Sequence, residues 1–416
     1  MSKYIIQGGN EIRGKLRVGG AKNSVLPIFA ATILSAKESI IYDCPVLKDV
    51  EIMIEILRGL GCKVKREGHT VIIDSSNNIN YEVPDTLVRK MRSSFELLGA
   101  LISRVKKGRI CFPGGCDIGP RPIDLHLKGL EQLGVKIYET PGGIYCEAHE
   151  LKGAEIHLDY PSVGATKNIM LAAVFAKGAT IIRNAAKEPE ITDLQNYLNK
   201  IGAKISGAGT NYIRIDGVES LTNGEHTIIP DRIVCGTYLT VAAATGGSIE
   251  VENVVYEHMQ PIIAKIKETG STIRYNKGRI HLTAPRRPKA IDMVRTLPYP
   301  GFPTDMQAPI VALLTRAKGT SIVIETVFEN RFKHIEDLAC MGADIKVDGR
   351  IAVIRGKNRL VGTTVTARDL RGGAALVVAG ISADGVTVIE DIEHIDRGYE
   401  DLHLNLQQIG ANIIRE

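Results

Sequence analysis

Tryptophan is absent from this chain, and aromatic residues make up only 5% of its 416 positions. A surface that stacks single-stranded nucleic acid needs such rings, so that class of partner is excluded first. One-sided charge is also missing. There are 52 basic residues against 47 acidic ones, a net charge of +5, with no block of like sign to form a nucleic-acid footprint. No apolar run reaches the roughly 20 residues that a membrane-spanning helix requires. The longest, Ala374 to Ser382, reads as a buried helix. The stretch Met1 to Gly9 lacks the apolar core of a signal peptide. Seven scattered cysteines (Cys44, Cys62, Cys111, Cys116, Cys146, Cys235 and Cys340) do not make a secreted disulfide scaffold. The expectation is a cytoplasmic protein with no membrane, nucleic-acid or obligate protein partner. Its length exceeds what one core ordinarily serves, so two domains are expected.

What is present is repetition. A glycine after a mostly apolar residue, followed by a small residue and then an alternating strand pattern, recurs at Gly61, Gly134, Gly202, Gly270, Gly342 and Gly410. The interval is about 70 residues, too long for the common solenoid repeats. The third copy shows the elements. Asn168 to Ala176 is apolar nearly all round, as in a buried helix. Gly178 to Arg183 alternates as a strand. Ile191 to Ile201 has apolar positions at helical spacing with polar residues between them. Ala203 to Ser206 and Tyr212 to Ile215, joined through Gly207, form a hairpin. Six helix-strand-helix-strand-strand units divide into two α/β domains of three, expected to face each other across a cleft. The boundary is expected near Asn223 to Pro230, giving 20–229 as one domain and 1–19 plus 230–416 as the other. Tyr4 to Ile6 and Lys15 to Val18 have no helix of their own and are expected to complete the sixth unit.

Overlaying the units puts the unusual residues at two recurring places. One is the start of the buried helix, at Lys22 and Asn23, Arg92, Ser162 to Gly164, Asp305, and Asp369 with Arg371. The other lies between the first strand and the outer helix, at Pro113 to Pro122, Glu329 to Arg331, and Asp396 with Arg397. Helix N-termini offer free N–H groups and partial positive charge, and arginine pairs bidentately with phosphate and carboxylate. Together they predict a site for small, highly anionic substrates. Ser, Thr, Asp and Asn at helix starts ordinarily serve as N-caps. Capping alone does not call for Lys22 in one copy, Arg92 in another and Asp305 in a third.

Other patterns carry less. Gly14 to Lys22 resembles a phosphate-binding loop, but two extra residues separate Gly19 from Lys22. Gly207-Ala208-Gly209 leads into a strand and lacks the third glycine of a dinucleotide site. Cys111 and Cys116 have no second pair nearby, so no metal is expected. Cys116 differs from the other six cysteines. It sits in a broken, polar segment near Arg121, where a thiolate is favoured, whereas most of the others fall in strand or helix patterns, where a buried thiol is the default.

The motifs Gly19 to Ser24, Pro113 to His126, Ser162 to Thr166, Phe302 to Ala308, Glu325 to Phe332, Asp369 to Arg371 and His394 to Tyr399 together resemble the UDP-N-acetylglucosamine 1-carboxyvinyltransferase family of enolpyruvyl transferases. The match runs over essentially the whole chain. Two departures are Pro309, where glutamine is common, and the glycine pair that follows Arg371. The resemblance implies two inside-out α/β domains, a lid loop bearing Cys116, and transfer of enolpyruvyl from phosphoenolpyruvate to the sugar 3-hydroxyl without cofactor or metal. It implies that Lys22, Asn23, Arg92, Arg121, Arg371 and Arg397 hold phosphoenolpyruvate. It gives Asn23, Arg92, Arg121, Pro122, Ile123, Asp124, Leu125, Ser162, Val163, Gly164, Asp305 and Val327 to the sugar nucleotide. Asp305 would accept the hydroxyl proton, Cys116 would protonate the methylene carbon, and Lys22 and Arg397 would complete the catalytic set. Arg331 and Asp369 would support them. The transferase acting on shikimate 3-phosphate shares the six-unit plan but lacks the cysteine-bearing motif.

Overall fold

The computed structural model describes residues 2–112 and 123–416, apart from the side chain of Arg92. Over these residues the chain forms two compact units. One takes the chain up to Gly19 together with Pro230–Glu416, and the other takes the chain between Gly20 and Ile229. Each has its own hydrophobic core.

Both cores are built around apolar helices that sit inside rather than on the surface. In the 20–229 unit these are Lys22–Ser35, Leu97–Val105 and Val163–Ala173, and in the other Arg232–Thr245, Gln307–Leu314 and Leu370–Ser382. They pack on one another, so they need apolar residues on nearly every side, and the few polar groups within them, such as Lys167, Asn168, Thr237 and Thr240, are buried. Helices with one apolar face, such as Lys48–Gly59 and Pro189–Lys200, lie outside them.

The six repeated glycines end the six outer helices. All have positive φ, from 91° to 109°, where a side chain is disfavoured. At Gly61 the amide donates to the Arg58 carbonyl while Cys62 donates to Leu57, the two bonds of a Schellman stop. The same pair of bonds closes the helices before Gly134, Gly202, Gly342 and Gly410. The repeat visible in the sequence is therefore a repeated helix ending.

Each unit's strands form a small sheet in which the first strand pairs antiparallel with the third, and the third with the second. Five of the six sheets also contain a short parallel strand that alternation did not reveal. Examples are Glu155–His157 beside Ala179–Arg183 and Met293–Arg295 beside Thr320–Ile324. Three residues are too few to show a period. In the first copy this position is filled by Gly224–Thr227, which returns to lie parallel to Glu38–Tyr42 and closes the ring of three.

The two N-terminal strands go to different sheets. Tyr4–Gln7 lies between Val386–Glu390 and Asn412–Arg415, in the sheet of the sixth copy. Arg13–Arg17 instead runs parallel to Ser248–Glu252 in the fourth. The expectation that it completes the sixth unit is corrected: its alternation marks it as a strand but says nothing about which sheet it joins. No helix among the described residues is long and apolar enough to cross a membrane.

Candidate active site

In the 20–229 unit the expected residues collect at the starts of helices. Lys22 is the first residue of Lys22–Ser35, is 9% exposed, and places Nζ 3.1 Å from Asp49 Oδ2. Asn23 follows it, and its carbonyl accepts from Lys167 Nζ at 2.9 Å. Arg92 opens the 3-10 turn Arg92–Glu96 that leads into Leu97–Val105. Ser162 caps Val163–Ala173, its hydroxyl accepting from the Ala165 amide at 3.3 Å. Val163 and Gly164 form the first turn. Ile123, Asp124 and Leu125 start the outer helix Asp124–Gln132.

Two of these segments meet. A Cβ on Gly164 would lie 2.9 Å from the His126 ring, so only glycine lets the Ser162–Gly164 turn approach the helix that begins at Asp124. His126 is held by Asn168 at 3.1 Å and by the edge of Phe95, with ring centroids 5.2 Å apart. Cys116, Arg121 and Pro122 lie outside the described residues.

The other unit gathers Asp305, Arg331 and Arg371 from three separate elements. Asp305 Oδ1 accepts from Arg331 Nη2 at 2.7 Å, and Oδ2 accepts from Arg371 Nη2 at 2.9 Å. Both arginine side chains are about 95% buried. Their guanidinium carbons lie over rings, Arg331 over Phe328 at 5.2 Å and Arg371 over Tyr399 at 5.3 Å. Burial alone would push the Asp305 carboxyl up, but Arg371 and Arg331 more than reverse this and hold it well below the usual carboxylate range. Arg331 Nε and Nη1 are buried without a hydrogen-bond partner.

Asp369 is the N-cap of Leu370–Ser382, its Oδ1 accepting from the amides of Arg371 at 3.0 Å and Gly372 at 2.9 Å. Arg397 ends the 3-10 turn Ile392–Arg397, which packs against the same helix. The glycine pair after Arg371 permits this crowding. A Cβ on Gly373 would come within 2.7 Å of Ile395, and one on Gly372 within 2.8 Å of Asp369. Pro309 sits in the first turn of Gln307–Leu314, where proline is tolerated.

Sequence reasoning missed Glu325. Its buried carboxylate accepts from the Val327 and Phe328 amides at 2.7 and 3.1 Å and from the Thr296 and Thr304 hydroxyls at 2.8 Å each. It therefore fixes both the Val327 loop and the residue before Asp305. Only its place inside a quoted motif could have drawn attention to it. The expectation for cysteine also needs amending. Cys44, Cys62, Cys111, Cys146 and Cys235 are buried, and burial pushes the thiols of Cys62 and Cys146 up to about 12, but Cys340 is exposed. It ends the outer helix Ile335–Cys340, so a helical position did not imply a core one.

Comparison with known proteins agrees with this architecture. Residues 6–406 match the family model for EPSP synthase (3-phosphoshikimate 1-carboxyvinyltransferase). UDP-N-acetylglucosamine 1-carboxyvinyltransferase 2 of Caldanaerobacter subterraneus is 59% identical over 415 residues, covering 100% of both chains. UDP-N-acetylglucosamine 1-carboxyvinyltransferase 1 of Carboxydothermus hydrogenoformans is 51% identical, covering 100% of this chain and 98% of its own. Among solved structures, the enolpyruvyl transferase NikO of Streptomyces tendae superposes with a TM-score of 0.89 at 26% identity, covering 100% of this chain and 99% of its own. EPSP synthase of Acinetobacter baumannii shares the fold with a TM-score of 0.79 at 18% identity, covering 100% of both chains. Matched over nearly its whole length by that family model and by relatives half or more identical to it, the chain belongs to the EPSP synthase family of enolpyruvyl transferases.

Proposed function

We propose that this enzyme transfers the enolpyruvyl group of phosphoenolpyruvate to the 3-hydroxyl of UDP-N-acetylglucosamine with release of phosphate, the first committed step of peptidoglycan synthesis. The observation that carries the reading is the 59% identity, end to end, with a relative named for that reaction. Six unpaired cysteines among the described residues suit a reducing cytoplasm, where we place the reaction.

In this reading 20–229 is one transferase domain carrying the Cys116 lid loop, and 1–19 with 230–416 is the other. Residues of both serve one pair of substrates. Lys22, Arg92, Arg121, Arg371 and Arg397 bind the phosphate and carboxylate of phosphoenolpyruvate, with Asn23 beside them. Ile123 to Leu125 and Ser162 to Gly164 bind the sugar nucleotide, together with Pro122, Asp305 and Val327. The convergence of Gly164 on His126 supports grouping those two segments.

The 3-hydroxyl oxygen bonds to C2 of phosphoenolpyruvate and gives its proton to Asp305, while Cys116 protonates C3. The tetrahedral intermediate then expels phosphate, and the new methyl group gives back a proton to restore the double bond. Held between two arginines, Asp305 is a weak proton acceptor. An incoming oxyanion that draws a guanidinium away would raise its basicity at the moment of need. Fixed cations then stabilise the charge that develops on the intermediate.

Phosphate release from phosphoenolpyruvate, measured with UDP-N-acetylglucosamine and separately with shikimate 3-phosphate, tests the reading. Release with the first acceptor only is expected. Release with the second only, or with neither, would overturn it.

A further inference from the structure

The helix Lys22–Ser35 contains Pro27. Proline has no N–H, so the carbonyl four residues earlier, that of Asn23, loses its helical donor, and the ring crowds that carbonyl. Lys167 fills the gap from the neighbouring buried helix, Nζ to the Asn23 oxygen at 2.9 Å. Its charge is balanced by Glu96 Oε1 at 3.7 Å, and both side chains are nearly out of contact with water. Asn168, the next residue, anchors the Glu96 segment by accepting from the Gly99 amide at 2.6 Å and donating to the Phe95 carbonyl at 3.3 Å.

The other unit solves the same problem differently. Pro261, inside Tyr256–Glu268, leaves the Glu257 carbonyl without its helical donor, and the Tyr299 hydroxyl donates to it at 3.0 Å on the exposed surface. A neutral hydroxyl is enough there. Burying an ammonium and a carboxylate to serve one carbonyl carries a desolvation cost of several kcal/mol per ion before pairing. Helix repair alone does not require it.

We propose that Lys167 is a positioning residue for the reaction. Acting through the Asn23 backbone, it sets the turn that carries Lys22 and Asn23 against the helix whose first turn is Ser162–Gly164. It thereby ties the phosphoenolpyruvate contacts to the sugar-nucleotide contacts without touching either substrate. This rests on the functional reading above.

The test uses the double variant Lys167→Met/Glu96→Gln, which removes both buried charges, and a triple variant that adds Pro27→Ala, which returns an N–H to the Asn23 carbonyl. With both variants folded by circular dichroism, the double variant is expected to lose 10- to 100-fold in kcat/KM for phosphoenolpyruvate. Its sugar-nucleotide affinity, measured by calorimetry, should change less than threefold. The triple variant should regain at least a third of the loss on a logarithmic scale. A folded double variant with wild-type kcat/KM, or a triple variant that regains nothing, overturns the inference. A wild-type protein without turnover would instead sink the functional reading. The inference would then be decided by hydrogen exchange of the Ser24 to Leu26 amides, expected to be at least tenfold faster in the double variant and slower again in the triple, with unchanged exchange refuting it.

Discussion

Arg331 reaches Asp305 at 2.7 Å on one carboxylate oxygen, while the opposite oxygen is held by Arg371 at 2.9 Å. The carboxylate is thus ionised and clamped, which suits a site where an anion must displace part of the clamp before proton transfer. Asp305→Asn keeps the shape and removes the acceptor. Turnover is expected to fall by three orders of magnitude or so, with UDP-N-acetylglucosamine still binding within about tenfold of wild type by calorimetry. Turnover within tenfold of wild type would remove Asp305 from the chemistry.

The same clamp makes a pH prediction. The folded-state carboxyl of Asp305 is depressed by Arg371 and Arg331 against the effect of burial, so its stabilisation is present above the unfolded value and is lost only as the pH falls through the folded one. In the free enzyme, the acid limb of kcat/KM should therefore not show a group titrating near 4 that disappears in Asp305→Asn. Finding one would mean the clamp is open in solution.

His334 behaves in the opposite chemical sense. Burial pushes its imidazole down to about 4, with Asp369 and Asp337 opposing the shift and Arg331 adding to it. The unfolded chain binds this proton near 6.5, so stability through His334 is full above that value and falls as the pH drops from about 6.5 to about 4, by about 2–3 kcal/mol. Urea unfolding at pH 7 and pH 5 should show a smaller difference in His334→Gln than in wild type. An unchanged difference would refute this.

Gly372 leaves no room for a side chain. A methyl group there would meet Asp369 Oδ2 at 2.8 Å and His334 Cβ at 3.1 Å, displacing the cap that accepts from the Arg371 amide. Gly372→Ala should cost about 1–2 kcal/mol in urea unfolding through the damaged cap. It should also lower kcat, because Arg371 starts from that turn. Wild-type stability and rate together would show that the turn can move aside.

Thiol chemistry separates two cysteines. Cys340 is exposed on the surface, whereas burial raises the thiols of Cys44, Cys62, Cys111, Cys146 and Cys235. An alkylating reagent is expected to mark Cys340 without affecting turnover and Cys116 with its complete loss, read by peptide mass spectrometry beside the assay. Cys340→Ser should inactivate at the wild-type rate. Inactivation that follows Cys340 instead would take Cys116 out of the proposed mechanism.

Glu325 and Lys167 show why part of the site escaped the sequence. Lys167 lies past the helix start, and Glu325 directly follows a strand, ahead of the unusual residues Glu329 to Arg331. Each matters through main-chain groups: Glu325 holds the Val327 and Phe328 amides, and Lys167 holds a carbonyl 144 residues away. A side chain that serves the backbone leaves no pattern of its own type. The short parallel strands escaped for a related reason, since three residues at a sheet edge take their conformation from the partner strand.

By itself the sequence determined the six helix endings, because a left-handed glycine and the main-chain bonds that close the turn, two of them at five of the six, depend on residues within one turn. It also determined which helices are buried, since all-round apolarity is a property of one segment. Tertiary structure alone decided that Asp305, Arg331 and Arg371 form one ion cluster, that Arg13–Arg17 joins the fourth sheet, and that Pro27 is answered by Lys167. Those outcomes depend on where distant segments come to rest and on how much water is excluded there, and no local stretch of chain encodes either.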